Sequence, residues 1–125
     1  MKTEFLTKSQ ENLQAAQLLF DQGLYNASAN RSYYSAFQAA IAALADLGIV
    51  ITERKNHETT QANFAAELIK KRKIYPNHLK SYLLDLQDVR NTSDYREISV
   101  SKKIAARQLR NANEFVELIV QRLIK

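Results

Sequence analysis

Apolar residues recur along this chain at intervals of three and four, the spacing that lines one face of an α-helix. The pattern divides most of the 125 residues into five helical segments. The first, roughly Thr3 to Asp21, carries Phe5, Leu6, Leu13, Ala16, Leu19 and Phe20 on its stripe, and Gly23 closes it. The second, about Asn26 to Leu47, carries Ala29, Tyr33, Phe37, Ala40, Ile41, Leu44 and Leu47, with Gly48 placed to end it. Nearly every face of Ala36–Leu44 is apolar, so this helix is expected at the centre, its alanines letting neighbours approach closely.

A polar connection, TERKNHETTQ, leads to a third helix with Phe64, Leu68 and Ile69 on one side. Pro76 stops it, because proline cannot continue a helix and biases Tyr75 away from helical angles. The fourth helix, about Asn77 to Asn91, buries Leu79, Leu83, Leu86 and either Val89 or Arg90. The last begins near Ser99 or Ser101 and keeps Ile104, Ala105, Leu109, Ala112, Val116, Ile119, Val120 and Leu123 in register. The expected fold is all-α: one antiparallel bundle of about five helices spanning residues 1–125. Its second and fifth helices should supply most of the core, through Phe37, Ile41, Leu44, Leu109, Val116 and Ile119.

Composition agrees with long helices and few loops, since there are only 2 Gly and 1 Pro. Without cysteine there is neither a disulfide framework nor a thiolate metal site. The longest apolar stretch, AAIAALADLGIVI, contains Asp46 and is too short to span a bilayer. The opening MKTEFLTKSQENLQ lacks the apolar segment of a signal peptide, so the expected location is cytoplasmic, with no membrane partner. The net charge of +5 favours polyanionic partners such as RNA, through release of their counterions.

Candidate chemistry is sparse. The two histidines stand in no metal-binding spacing, and two glycines cannot build a phosphate loop, so no metal or cofactor is expected. The basic run Lys70, Lys71, Arg72, Lys73 suits either a solvated helix end, where cations meet the helix dipole, or phosphate contact. LQDVRNTSDYRE, at the end of the fourth helix, gathers Arg90, Asn91, Asp94 and Tyr95. Arg90 and Asp94 stand four apart, so a helix continuing through them would pair them as an ordinary surface ion pair.

The order of these pieces resembles the HEPN superfamily, in particular its small stand-alone prokaryotic proteins. The resemblance rests on the long first helix, the GLYNASA link and RSYYSAF opening an Ala-rich helix. His57 at the start of the third helix, Phe64 seven residues on and VRNTSDY ending the fourth complete it. It implies a helical bundle that pairs as a homodimer. Active ribonucleases of that family carry Arg-x(4–6)-His at the end of a late helix, and two copies cut RNA without a metal. An always-cationic arginine grips the scissile phosphate, while a histidine titrating near neutrality moves the proton.

On this chain the arginine maps to Arg90 and the following polar residue to Asn91, while the histidine slot falls on Asp94 or Tyr95. A tyrosine of pKa about 10 is roughly a thousandfold too protonated to be a ready base at neutral pH, and an aspartate near about 3.9 is a weak one. The resemblance therefore implies a nucleotide- or RNA-binding site at Arg90, Asn91, Asp94 and Tyr95, with Arg31, Tyr34 and His57 as secondary candidates. Each secondary residue also has a plainer reading, as core packing for the tyrosine or a helix-start hydrogen bond for His57. The alternatives are a metal-independent endoribonuclease toxin using Arg90 with a substitute base, and a structural adaptor. A nucleotidyltransferase acting as antitoxin is the partner the family implies.

Overall fold

The computed structural model describes residues 2–49, 57–95 and 99–124, apart from the side chains of Glu58 and Tyr95. Its elements are α1 (Lys2–Asp21), α2 (Tyr25–Asp46), α3 (His57–Asn63) running directly into a π-helix (Phe64–Lys71), α4 (His78–Tyr95) and α5 (Lys102–Leu123). No strand occurs among the described residues, and the fold is an all-α bundle.

Long-range hydrogen bonds give the direction of each helix. Ser9 Oγ donates to the Ser35 carbonyl at 2.7 Å and Ser28 Oγ to the Ala16 carbonyl at 2.8 Å, so α1 and α2 are antiparallel. Gln108 Nε2 donates to Asp85 Oδ2 at 2.8 Å and His78 Nε2 meets Glu114 Oε2 at 2.8 Å, which makes α4 and α5 antiparallel as well. Ser9 and Ser28 satisfy their buried hydroxyls on backbone carbonyls of the facing helix, which lets α1 and α2 pack closely there.

As its uninterrupted apolar surface foretells, α2 lies at the centre, burying Ala29, Tyr33, Ala36, Phe37, Ala39, Ala40 and Ile41 through Leu44. Phe115, Val116 and Ile119 of α5, Leu79, Leu83 and Leu86 of α4, and Phe64 and Leu68 of the π-helix close over it. Leu109 departs from the expected core. It is half-buried and borders an open groove between α1 and α5 beside Leu13 and Phe20. Val89 and Arg90 are both half-buried, so the fourth helix turns its apolar face partly away from the core in its last turns.

Both glycines act as helix terminators. Gly23 and Gly48 each adopt φ of 79°, and the residue after each donates back to the helix, Leu24 N to the Leu19 carbonyl and Ile49 N to the Leu44 carbonyl. These are Schellman caps, in which only glycine enters the left-handed region without a Cβ penalty. At the last helix, Ser101 settles the choice of start: its side chain accepts from Ile104 N as the N-cap.

Two boundaries differ from the sequence expectation. The third helix is not a uniform α-helix, since its second half widens to i→i+5 bonding and ends with Arg72 N donating to the Glu67 carbonyl at 3.2 Å. The wider turn still brings Phe64, Leu68 and Ile69 onto one buried face, and Phe64 stacks on Tyr75 and meets Phe115 at 5.2 Å. The fourth helix runs four residues past Asn91, to Tyr95.

Candidate functional site

The extension of α4 positions the arginine. Thr92 Oγ1 donates to the Asp88 carbonyl and Ser93 Oγ to the Arg90 carbonyl, so these weak helix formers bond back onto the preceding turn. One turn further, Arg90 Nε pairs with Asp94 Oδ2 at 3.2 Å. The helical ion pair considered from the sequence is therefore made. It is less exposed than a typical surface pair, with side chains 16% and 29% accessible.

That pair is only one side of the arrangement. Arg90 Nη2 donates to the Tyr34 hydroxyl at 2.8 Å, and Nη1 donates to Asn91 Oδ1 at 3.2 Å. The guanidinium carbon stands 5.2 Å from the Tyr34 ring centre and 5.9 Å from that of Tyr33, within cation–π range of both. Asp94 is shared with α2, since Asn30 Nδ2 donates to Asp94 Oδ2 at 2.9 Å. Two successive turns of α2, through Asn30 and the Tyr33–Tyr34 pair, and the end of α4 thus hold Arg90 in one orientation.

Arg31 reaches the same ring from α2 itself, its guanidinium carbon 5.4 Å from the Tyr34 centre. Its hydrogen bonds go to amides, Nη1 to Asn12 Oδ1 at 3.0 Å and Nη2 to Asn30 Oδ1 at 2.7 Å. An amide oxygen orients a guanidinium without cancelling its charge. Two arginines meet on one tyrosine, Arg90 paired with Asp94 and Arg31 held by neutral amides, an arrangement suited to an anion.

The third helix contributes from the other side. His57, its first residue, stacks on Phe37 with ring centres 4.3 Å apart and stands 6.0 Å from Tyr34 in an edge arrangement. Its Nδ1 hydrogen-bonds the Tyr33 hydroxyl. Tyr33 is fully buried, and burial pushes its phenol well above the ordinary tyrosine range; a hydrogen bond from Gln61 and the charge of Arg90 pull back less. Tyr33 therefore keeps its proton at neutral pH and acts as a fixed hydrogen-bonding strut for His57.

Of the residues singled out in the sequence, the structure brings Arg90, Asn91, Asp94, Arg31, Tyr34 and His57 into one cluster. Tyr95 ends α4, and its side chain lies outside the described residues. Asn12, Asn30, Tyr33 and Phe37 belong to the cluster too. Nothing in local spacing marks Asn12 and Asn30, because their role depends on α1 and α2 packing antiparallel. No group of three or more His, Cys, Asp or Glu converges to hold a metal among the described residues, and no helix there is long and apolar enough to cross a membrane.

Comparison with known proteins gives the family of the chain. The family model described as HEPN domain matches residues 3–123. The UPF0332 protein glr0978 of Gloeobacter violaceus is 30% identical over 92 residues, which span 74% of this chain and 70% of that protein.

Proposed function

This chain belongs to the HEPN domain family, and on that premise we propose that it binds the phosphates of RNA or of a nucleotide at the Arg90 cluster. One observation carries the reading: Arg90 and Arg31 converge on Tyr34 from two helices, and Arg31 is oriented by neutral amides instead of carboxylates. Arginine's planar fork matches two phosphate oxygens at once, and a pre-oriented fork loses less freedom on binding. Asn91, exposed beside Arg90, adds an amide that can bond to a base edge or phosphate, and Tyr95 at the helix end is assigned to base contact. Fluorescence anisotropy with labelled RNA tests this. Binding should weaken steeply with salt and be lost in Arg90→Ala, whereas a flat salt response or an unaffected variant would refute it.

A second reading, metal-independent RNA cleavage, is favoured by the place of His57. Its imidazole rests on the same tyrosine pair as Arg90, although the histidine slot of the family pattern is occupied by Asp94 or Tyr95. Cleavage by the pure protein in EDTA, lost in both Arg90→Ala and His57→Ala, would establish it. The proposal extends, by family likeness alone, to a homodimer that joins two such clusters and to a nucleotidyltransferase antitoxin as partner. Light scattering at micromolar concentration and co-purification from the native host test these two points.

A further inference from the structure

A groove separates α3 and the π-helix from α4, and it leads away from the Arg90 cluster. Gln61, Ala62 and Ala65 form one wall, Lys80, Leu84 and Gln87 the other, and Phe64 and Leu83 the floor, around a volume of about 350 Å³. That size lies at the lower end of the roughly 300–1,000 Å³ typical of ligand pockets. The head of the groove touches the cluster directly. Gln61 hydrogen-bonds both Gln87 and the Tyr33 hydroxyl, and Gln87 precedes Arg90 and Asn91 by one helical turn.

Its far end is cationic. Lys80 is exposed and has no acid partner among the described residues. The π-helix closes on Lys70 and Lys71, with Arg72 and Lys73 following, and Glu67 engages Lys71 and Arg72 and leaves Lys70 and Lys73 unneutralised among the described residues. Lys70 stands five residues after Ala65, which lines the groove. Midway, Leu84 is 50% exposed and leaves apolar surface between the cations.

Cations at both ends, an apolar middle and an amide side chain on each wall match a strand that alternates phosphates with flat apolar bases. A protein helix would need acidic ends to satisfy the same charges, and a free nucleotide would leave Lys80 and the basic turn unused. Lys80 and Arg90 stand ten residues apart on α4, or about 15 Å at the helical rise. That is a span for about three or four nucleotides, by comparison with the smallest single-strand sites. We infer that this groove carries a segment of single-stranded RNA, whose phosphates run from the Arg90–Arg31 cluster past Lys80 toward the Lys70–Lys73 turn. The inference rests on the phosphate-binding reading and narrows its ligand from any nucleotide to an extended single strand.

The test compares diuridylate with octauridylate on wild-type, Lys80→Glu, Gln87→Ala and Arg90→Ala proteins, by calorimetry at low salt and anisotropy across a salt series. The octamer should bind at least about tenfold tighter than the dimer. Lys80→Glu should cut octamer affinity about five- to tenfold and flatten its salt slope by about 0.7 per lost phosphate contact, leaving dimer affinity unchanged. Gln87→Ala, which changes no charge, should weaken the octamer alone by a few-fold. Equal affinity for dimer and octamer, or an octamer indifferent to Lys80→Glu, overturns the groove while the Arg90 reading stands. So does a groove variant that alters self-association, seen by sedimentation, with RNA affinity intact, because the groove would then be a protein interface. Arg90→Ala leaving both oligomers bound as before would instead overturn the phosphate-binding reading.

Discussion

Replacing Phe37 by alanine tests the join between core and site. Phe37 is 4% exposed and stacks on His57 at 4.3 Å and on Tyr33 at 5.7 Å, with Tyr34 edge-on at 6.3 Å. Removing the ring forfeits its transfer energy and leaves a cavity; such substitutions cost about 3–5 kcal/mol. The upper half of that range is expected, because the surrounding rings cannot simply collapse inward. Tyr33 is tied to His57 and Tyr34 to Arg90, so filling the hole would break those bonds. Ring pairing adds about 0.5–1.5 kcal/mol for each well-placed aromatic contact. Urea unfolding followed by far-ultraviolet circular dichroism measures the loss, with an unchanged denaturant slope confirming that only stability moved. Phe37→Leu should recover most of it, by restoring apolar volume without the ring. A loss below about 1 kcal/mol in Phe37→Ala would refute this core assignment.

Arg90→Lys should weaken RNA binding as well as Arg90→Ala does at high salt, because lysine keeps the charge but lacks the fork; equal binding by lysine would show that charge alone suffices. Gly48→Ala should destabilise by about 1 kcal/mol, since φ of 79° opposes any Cβ although the space around it is open; a neutral thermal melt would contradict the Schellman cap. Glu114 gives a pH-dependent prediction. The hydrogen bond from His78, and secondarily that from Tyr82, holds its carboxyl below the ordinary range. A depressed carboxyl stabilises the fold above its unfolded pKa and loses that contribution as pH falls through the folded value. Wild type should therefore exceed Glu114→Gln in melting temperature near neutrality, by a small margin at this exposed site, and the two should converge in acid, below the lowered folded value. A gap that grows in acid would reverse the assignment.

The helices were legible because their cause is local. Each stripe repeats over several turns, and the two glycines and single proline stand where backbone sterics demand a stop. The widened half of the third helix was hidden for the opposite reason. Phe64, Leu68 and Ile69 satisfy an α-helical period as well as a π-helical one, so the choice depends on how Phe64 meets Tyr75 and Phe115, contacts made between elements. Leu109 illustrates the same limit. Its spacing puts it on the apolar stripe of α5, yet α1 does not cover it, and periodicity records a face without recording what packs there.

The end of α4 shows why a site is harder to read than a core. Asn91, Thr92, Ser93 and Asp94 are poor helix formers individually, so local propensity ends the helix at Asn91. In the structure those same polar side chains continue it: Thr92 and Ser93 bond back to the preceding turn, and Asp94 joins Arg90 within the helix and Asn30 across to α2. A partner sixty-four residues away, Asn30, adds a hydrogen bond from α2 to this extra turn. Without that turn Asp94 would not face Arg90, and Arg90 would not be held against Tyr34. The residues that look like a frayed end are thus the ones that fix the arginine, and their polarity serves the site while their helicity depends on it. Sequence spacing could bring Arg90 and Asp94 together, but only the packing of α1 and α2 turns a surface ion pair into a two-arginine cluster.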